Sequence, residues 1–97
     1  MTPSVSAEAD RELTENATFY ARESGKELGL EFIAEFERAL NFLCVHPNVG
    51  VTWRNNRRRF PLRRFPYSII YYVKDDSLRV IAIAHHRQQP GYWVRRR

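Results

Sequence analysis

His85, His86, Arg87 and Tyr92, with Arg58, Arg59, Arg63 and Arg64, are the side chains whose types and spacing could do chemistry in this chain. Histidine titrates near neutrality and can act as general acid or base, while arginine stabilises charge that builds on a phosphoryl group in a transition state. Together they could cut RNA by activating a 2′-hydroxyl. Neighbouring strand residues point to opposite faces, so at most one of His85 and His86 looks into a given cleft. A plainer use of the same residues is a histidine closing a strand end by hydrogen bonding and an arginine holding a carboxylate or the chain terminus. Tyr92 and Trp93 could stack on a base, or anchor the C-terminal segment on the core. Lys74 beside Asp75 and Asp76 is most simply a solvated turn.

Other chemistries lack their residues. There is no glycine-rich phosphate loop, no H-E-x-x-H and no nucleophile elbow. The one cysteine, Cys44, allows neither an intramolecular disulfide nor a thiolate metal cluster. It falls on or beside the apolar face of a helix and is expected in the core. Neither a metal nor a cofactor is expected. The N-terminal MTPSVSAEADREL has no basic region followed by an apolar run, so no signal peptide is expected. No stretch approaches a transmembrane helix, which leaves the cytoplasm as the expected compartment and no membrane as a partner.

The 97 residues fit one domain, 1–97, able to bury roughly 60–70% of its unfolded surface in one sheet and one layer of helices. The net charge of +5 is unevenly split: residues 1–50 carry −5 and residues 51–97 carry +10. Clusters at Arg57–Arg59, Arg63–Arg64 and Arg95–Arg97 make the second half a candidate surface for an anionic partner. Arginine can also simply solubilise exposed strand edges.

The elements that must position these groups follow from periodicity. Ser6 can cap a helix to Ser24, with Glu8 and Asp10 in its first turn and Ala9, Leu13, Ala17 and Tyr20 as its apolar stripe. Gly25 supplies the stop. A second helix, about Lys26 to Val45, puts Leu28, Phe32, Phe36, Leu40 and Leu43 along one side, broadened by Ile33 and Ala39. Pro47 ends it. The short connection predicts an antiparallel hairpin whose apolar faces need a sheet to cover them. Asn48–Asn56 reads as a loop. Arg57–Arg63 reads as a strand alternating Arg58, Phe60 and Leu62 against Arg57, Arg59 and Arg63, and Pro61 places it at an edge or gives it a bulge. Tyr67–Lys74 is apolar on both faces, as a central strand is. The turn Asp75-Asp76-Ser77 returns Leu78–His85 antiparallel to it. The expected fold class is α+β, a helical hairpin on a three-stranded antiparallel sheet.

The run Arg64, Phe65, Pro66, Tyr67, Ile69, Tyr71 resembles the RelE/ParE toxins of bacterial type II toxin–antitoxin systems. So do the ending His85, His86, Arg87, Pro90, Tyr92, Trp93 and the helix from Ala7 to Tyr20. The resemblance covers nearly the whole chain and implies the same α+β fold. It also implies a growth-inhibiting toxin, often plasmid-borne and serving plasmid stabilisation, that forms a hetero-oligomer with a cognate antitoxin. Such families open on a full edge strand, for which only Thr2–Val5 remain here. They divide by target: ribosome-dependent endoribonucleases that cleave mRNA, and a ParE branch that poisons DNA gyrase without chemistry of its own. As a ribonuclease, this chain would use Arg64, His85, Arg87 and Tyr92. The arginine that such enzymes carry just after the tyrosine position of the central strand is replaced by Ser68, which favours the ParE-like alternative. Target or nucleic-acid contact is then expected from Arg58, Arg59, Arg63, Arg64, Arg87, Trp93 and Arg95, with no metal or cofactor.

Overall fold

A computed structural model describes all 97 residues. The first helix, α1 (Ala7–Ser24), is capped by Ser6, whose Oγ accepts the Ala9 N–H at 3.1 Å. At its end Gly25 takes φ 101°, a left-handed conformation that side-chain-bearing residues rarely adopt, and reverses the chain into α2 (Lys26–Val45). Gly29 lets the two helices approach closely: a Cβ there would lie 2.7 Å from the Ala17 carbonyl oxygen and 3.0 Å from the Ala21 Cβ. His46, just before Pro47, leaves helical geometry and ends α2.

Five strands form one mixed sheet in the order β1-β5-β4-β3-β2: β1 (Thr2–Val5), β2 (Val51–Thr52), β3 (Arg58–Pro61), β4 (Tyr67–Lys74) and β5 (Ser77–His85). The expected meander is its centre, and both edges differ from expectation. Thr2–Val5 does form a strand, running parallel to Ser77–Val80. The stretch read as loop, Asn48–Asn56, contains β2, which pairs outside β3, and a 3-10 turn at Arg54–Asn56. The arginine-rich strand is therefore not the edge, and it stops at Pro61, although the Leu62 N–H still donates to the Tyr67 carbonyl at 2.9 Å. Cys44 is half-buried, not enclosed in the core.

The sheet is covered on both sides. Against the helices lie Ile69, Tyr71, Leu78, Val80 and Ile83, and a ring cluster in which Phe32, Phe65 and Tyr67 meet edge to face at 5.1–5.3 Å. The other side is closed by the C-terminal segment, with Trp93 packed on Ile70, Ile81, Ala82 and Ala84. A bulge allows this two-sided arrangement. Ile70 pairs with Ala82 but Tyr71 pairs with Val80, so Ile81 is an extra residue and the alternation of β5 changes phase there. Before it, Leu78 and Val80 face the helices; after it, Ile83 does.

The loop after α2 is tied to the core by Tyr71. Its hydroxyl donates to the Pro47 carbonyl at 2.8 Å and accepts the Gly50 N–H at 3.0 Å. Burial raises the Tyr71 pKa, so the hydroxyl stays a neutral donor and acceptor. Gly50 has no room for a side chain, since a Cβ would meet that oxygen at 2.7 Å.

An exposed helical Gly→Ala change normally stabilises by about 1 kcal/mol. At Gly29 the sign reverses: Gly29→Ala is expected to destabilise by about 1–3 kcal/mol because the backbone of α1 cannot yield. A denaturation midpoint equal to or above that of the parent would contradict this account of the hairpin.

Candidate functional site

The side of the sheet away from the helices carries Ser68, His86 and Arg59, and the C-terminal segment shapes it. Beyond Val80, β5 has no strand on its outer edge, because β1 has ended and Ser6 has turned into α1 after donating to the Val80 carbonyl at 2.9 Å. Side chains take the place of the missing ladder. Glu12 of α1 accepts the Ile83 N–H at 3.0 Å, Arg96 Nη1 donates to the Ile81 carbonyl at 3.1 Å, and Gln88 Oε1 accepts the His85 N–H at 2.8 Å. Glu12 also accepts from Arg96 Nη1 at 2.8 Å and from the Tyr92 hydroxyl at 2.7 Å. One carboxylate thus fastens the tail, a helix and a strand edge together. From the other side, Arg57 donates to the Arg96 carbonyl at 2.7 Å while its guanidinium lies over the Tyr72 ring at 4.4 Å.

Under this tail is a concavity of about 290 Å³. Trp53, Ile70, Ala84 and Trp93 give it an apolar lining, and Arg59, Ser68 and His86 supply polar groups. Ser68 is buried, and its Oγ shares a hydrogen bond of 2.9 Å with His86 Nε2. Because of the bulge, His85 instead pairs with Tyr67 and packs edge to face on that ring at 4.8 Å, its Nδ1 accepting the Arg87 N–H at 3.0 Å. No group of three His, Cys, Asp or Glu side chains is placed to hold a metal ion.

The arginines are not held in one cluster. Arg58 donates to the Asn48 and Gly50 carbonyls and is tied to the loop after α2. Arg59 is exposed at the lip of the concavity. Arg63 and Arg64 sit on the β3–β4 loop beside α2, where the Arg63 N–H donates to Glu35 Oε2 at 2.6 Å and Arg64 pairs with Glu31 at 3.2 Å. Arg64 has φ 69°, an unusual conformation for a side-chain-bearing residue. Arg87 and Arg95 are exposed. Trp93, named from sequence as a contact residue, is 4% exposed and stacks edge to face on Trp53 at 4.9 Å, so it serves the interior. Of the three ion pairs in the protein, only Arg64–Glu31 and Arg96–Glu12 involve basic residues after position 50. The remaining cations of that half are unpaired.

Of Arg64, His85, Arg87 and Tyr92, the set named from sequence for RNA cleavage, only His85 and Arg87 touch, through the Arg87 N–H and His85 Nδ1. Arg64 is engaged with α2, His85 with Tyr67, and Tyr92 with Glu12 on α1. Burial, and then the hydrogen bond to Glu12, push the Tyr92 hydroxyl well above its ordinary range, which makes it a poor proton donor. Sequence reasoning missed Glu12, Arg96 and the Ser68–His86 pair. Glu12 carries no local sign of its role, being one of several helix glutamates. Ser68 offered one, a polar residue inside a run apolar on both faces.

Glu12→Ala is expected to leave the Ile83 N–H and the Tyr92 hydroxyl without partners and cost about 2–4 kcal/mol. Red-shifted tryptophan emission and faster exchange of the Ile83 amide should accompany the loss. Unchanged exchange at Ile83 would show that the carboxylate does not hold the tail.

Glu35 is the second anchor: Arg38 donates to both of its oxygens at 2.7 Å, and that bidentate bond lowers its pKa below the usual 4.5. A depressed carboxylate pKa stabilises the fold above the unfolded-state value, and this contribution disappears as pH falls through the folded value. The stability gap between the parent and Glu35→Gln should therefore be full at neutral pH and close progressively in acid below about pH 4.5. Urea midpoints measured across that range test it; a gap that stays constant would rule it out.

A family model, the ParE toxin of the type II toxin–antitoxin system parDE, matches residues 4–90. Comparison with curated proteins gives no match. Among solved structures, a chain described as "Chromosomal ParDE TA system from P. aeruginosa" superposes with a TM-score of 0.77 at 19% identity, over 88% of this chain and 95% of that one. At that identity the likeness concerns the fold.

Proposed function

We propose that this chain, which belongs to the ParE toxin family of type II toxin–antitoxin systems, arrests growth by binding DNA gyrase and is neutralised by a cognate antitoxin. The observation that carries the reading is the family match over residues 4–90. The site is in keeping with it, since a toxin that acts by binding needs no acid–base pair. Here the tyrosine that would serve as acid is held by Glu12, and Ser68, at the position where the ribonucleases carry arginine, is buried against His86. The endoribonuclease alternative has no such support. The exposed arginines at 59, 87 and 95 are the groups offered for target contact.

The antitoxin would cover surface that the fold leaves apolar. Phe42, Val45, Val49 and Val51 are exposed near the end of α2 and the two-residue edge strand β2. An amphipathic segment could bury these side chains and pair with the β2 edge in one stroke. The acidic hairpin and the basic sheet half give such a segment surfaces of opposite sign to choose between.

Purified toxin should lower gyrase supercoiling and raise cleavage complexes, and an equimolar antitoxin should reverse both. Gyrase left unaffected while ribosome-bound mRNA is cut would overturn the assignment in favour of the ribonuclease branch.

A further inference from the structure

The sheet face that carries the concavity beside His86 has a second hollow at its other end. Tyr72 lines it, with Asn55, Asn56, Arg57, Lys74 and Arg97 around the ring. No aspartate or glutamate lines it. Arg57 is stacked on Tyr72, its terminal nitrogens donate to the Asn55 and Arg96 carbonyls, and its charge meets no carboxylate side chain. Lys74 and Arg97 are exposed and make no ion pair, nor do the nearby Asp75 and Asp76. Arg79, the cross-strand neighbour of Tyr72, adds a half-buried cation, and Arg59 continues the row to the first concavity.

This row is long for a single anion. From Ser68 to Lys74, β4 covers roughly 20 Å at about 3.3 Å per residue. That matches the rise of about six base pairs at ~3.4 Å each. Unpaired cations spread over such a distance suit a polymer with regularly spaced phosphates. The aromatic groups decide which polymer. A single strand would need open rings to stack on, but Arg57 covers the Tyr72 face and Trp93 is buried against Trp53. What remains exposed is charge, the feature that grips a backbone and ignores the bases.

We infer that the row Arg57, Arg59, Lys74, Arg79 and Arg97 is a landing surface for the phosphodiester backbone of duplex DNA. The inference deepens the gyrase reading and takes its setting from it, because a toxin docked on a topoisomerase sits beside the duplex that enzyme holds. The surface lies on the opposite side of the sheet from the helical hairpin, so the protein can use it while the hairpin is engaged elsewhere.

The test is fluorescence anisotropy of the purified toxin with a labelled duplex of about 20 base pairs and with an RNA single strand of equal length, between ~50 and ~200 mM salt. The variant is Lys74→Glu with Arg97→Glu, two exposed side chains that make no hydrogen bond in the fold. A matched control, Arg11→Glu with Arg22→Glu, makes the same charge change on the exposed side of α1. Duplex affinity should fall at least tenfold in the first variant, and the slope of log K against log salt should shrink by about two, one for each phosphate that the variant no longer neutralises. The control should be weakened far less. Equal weakening in the two variants, an unchanged slope, or tighter binding to the RNA strand would each overturn the inference. Gyrase inhibition, measured in parallel, separates the two proposals. Inhibition with duplex affinity insensitive to the charge reversal removes only the landing surface; duplex binding through the row without inhibition removes only the gyrase target.

Discussion

A sheet whose two central strands are apolar on both sides cannot leave either side to water, and the rest of this structure answers to that constraint. The helical hairpin covers one side, with Phe32, Phe36 and Leu43 fully or nearly buried. The chain has no second pair of helices for the other side, so the last residues must serve. Burying a side chain the size of Trp93 yields about 2–3 kcal/mol, little for a segment that must also be ordered. The tail is therefore held by polar anchors at its margins as well as by the indole at its centre.

Those anchors solve a second difficulty at the same place. The outer edge of β5 is paired by β1 only as far as Val80, and an open edge beside apolar surface invites pairing with other chains. Glu12, Arg96 and Gln88 satisfy the exposed N–H and carbonyl groups one by one, without a strand. Tail and edge are consequently coupled: the carboxylate that protects the Ile83 N–H also holds Tyr92 and Arg96. The same coupling holds the Tyr92 hydroxyl on Glu12 and, with burial, raises its pKa, so the packing need of the sheet also sets the state of that hydroxyl.

Charge is divided by the same architecture. Nine of the eleven acidic residues lie on the helices, whose outer sides face solvent, while twelve of the sixteen cations lie in the second half, on the strands, their loops and the tail. Few of them meet; Glu12 and Glu31 are the carboxylates that form ion pairs with a basic residue of the second half. Unpaired guanidinium groups on a rigid sheet retain their full attraction for an outside anion.

The helices were legible in the sequence almost to the residue, because Ser6, Gly25 and Pro47 are local stops and the apolar stripes repeat at helical spacing. The β4–β5 hairpin was equally plain from two apolar runs joined by a short acidic turn. The basic character of the second half could be counted directly. What periodicity does not carry is pairing between segments distant in the chain: Thr2–Val5 beside β5, and Val51–Thr52 beside β3, are too short to announce themselves as strands. The same limit hid the bulge at Ile81, and with it the choice of which histidine faces which side. Uninterrupted alternation would send His86 the way of Leu78 and Val80, toward the helices, yet one extra residue turns it to Ser68 and gives His85 to Tyr67. Composition determined that this protein carries a cationic half and a sheet needing two covers. Only the tertiary structure decided that the tail is the second cover and Glu12 its fastening, because a carboxylate's partners are set by what folding brings within 3 Å of it.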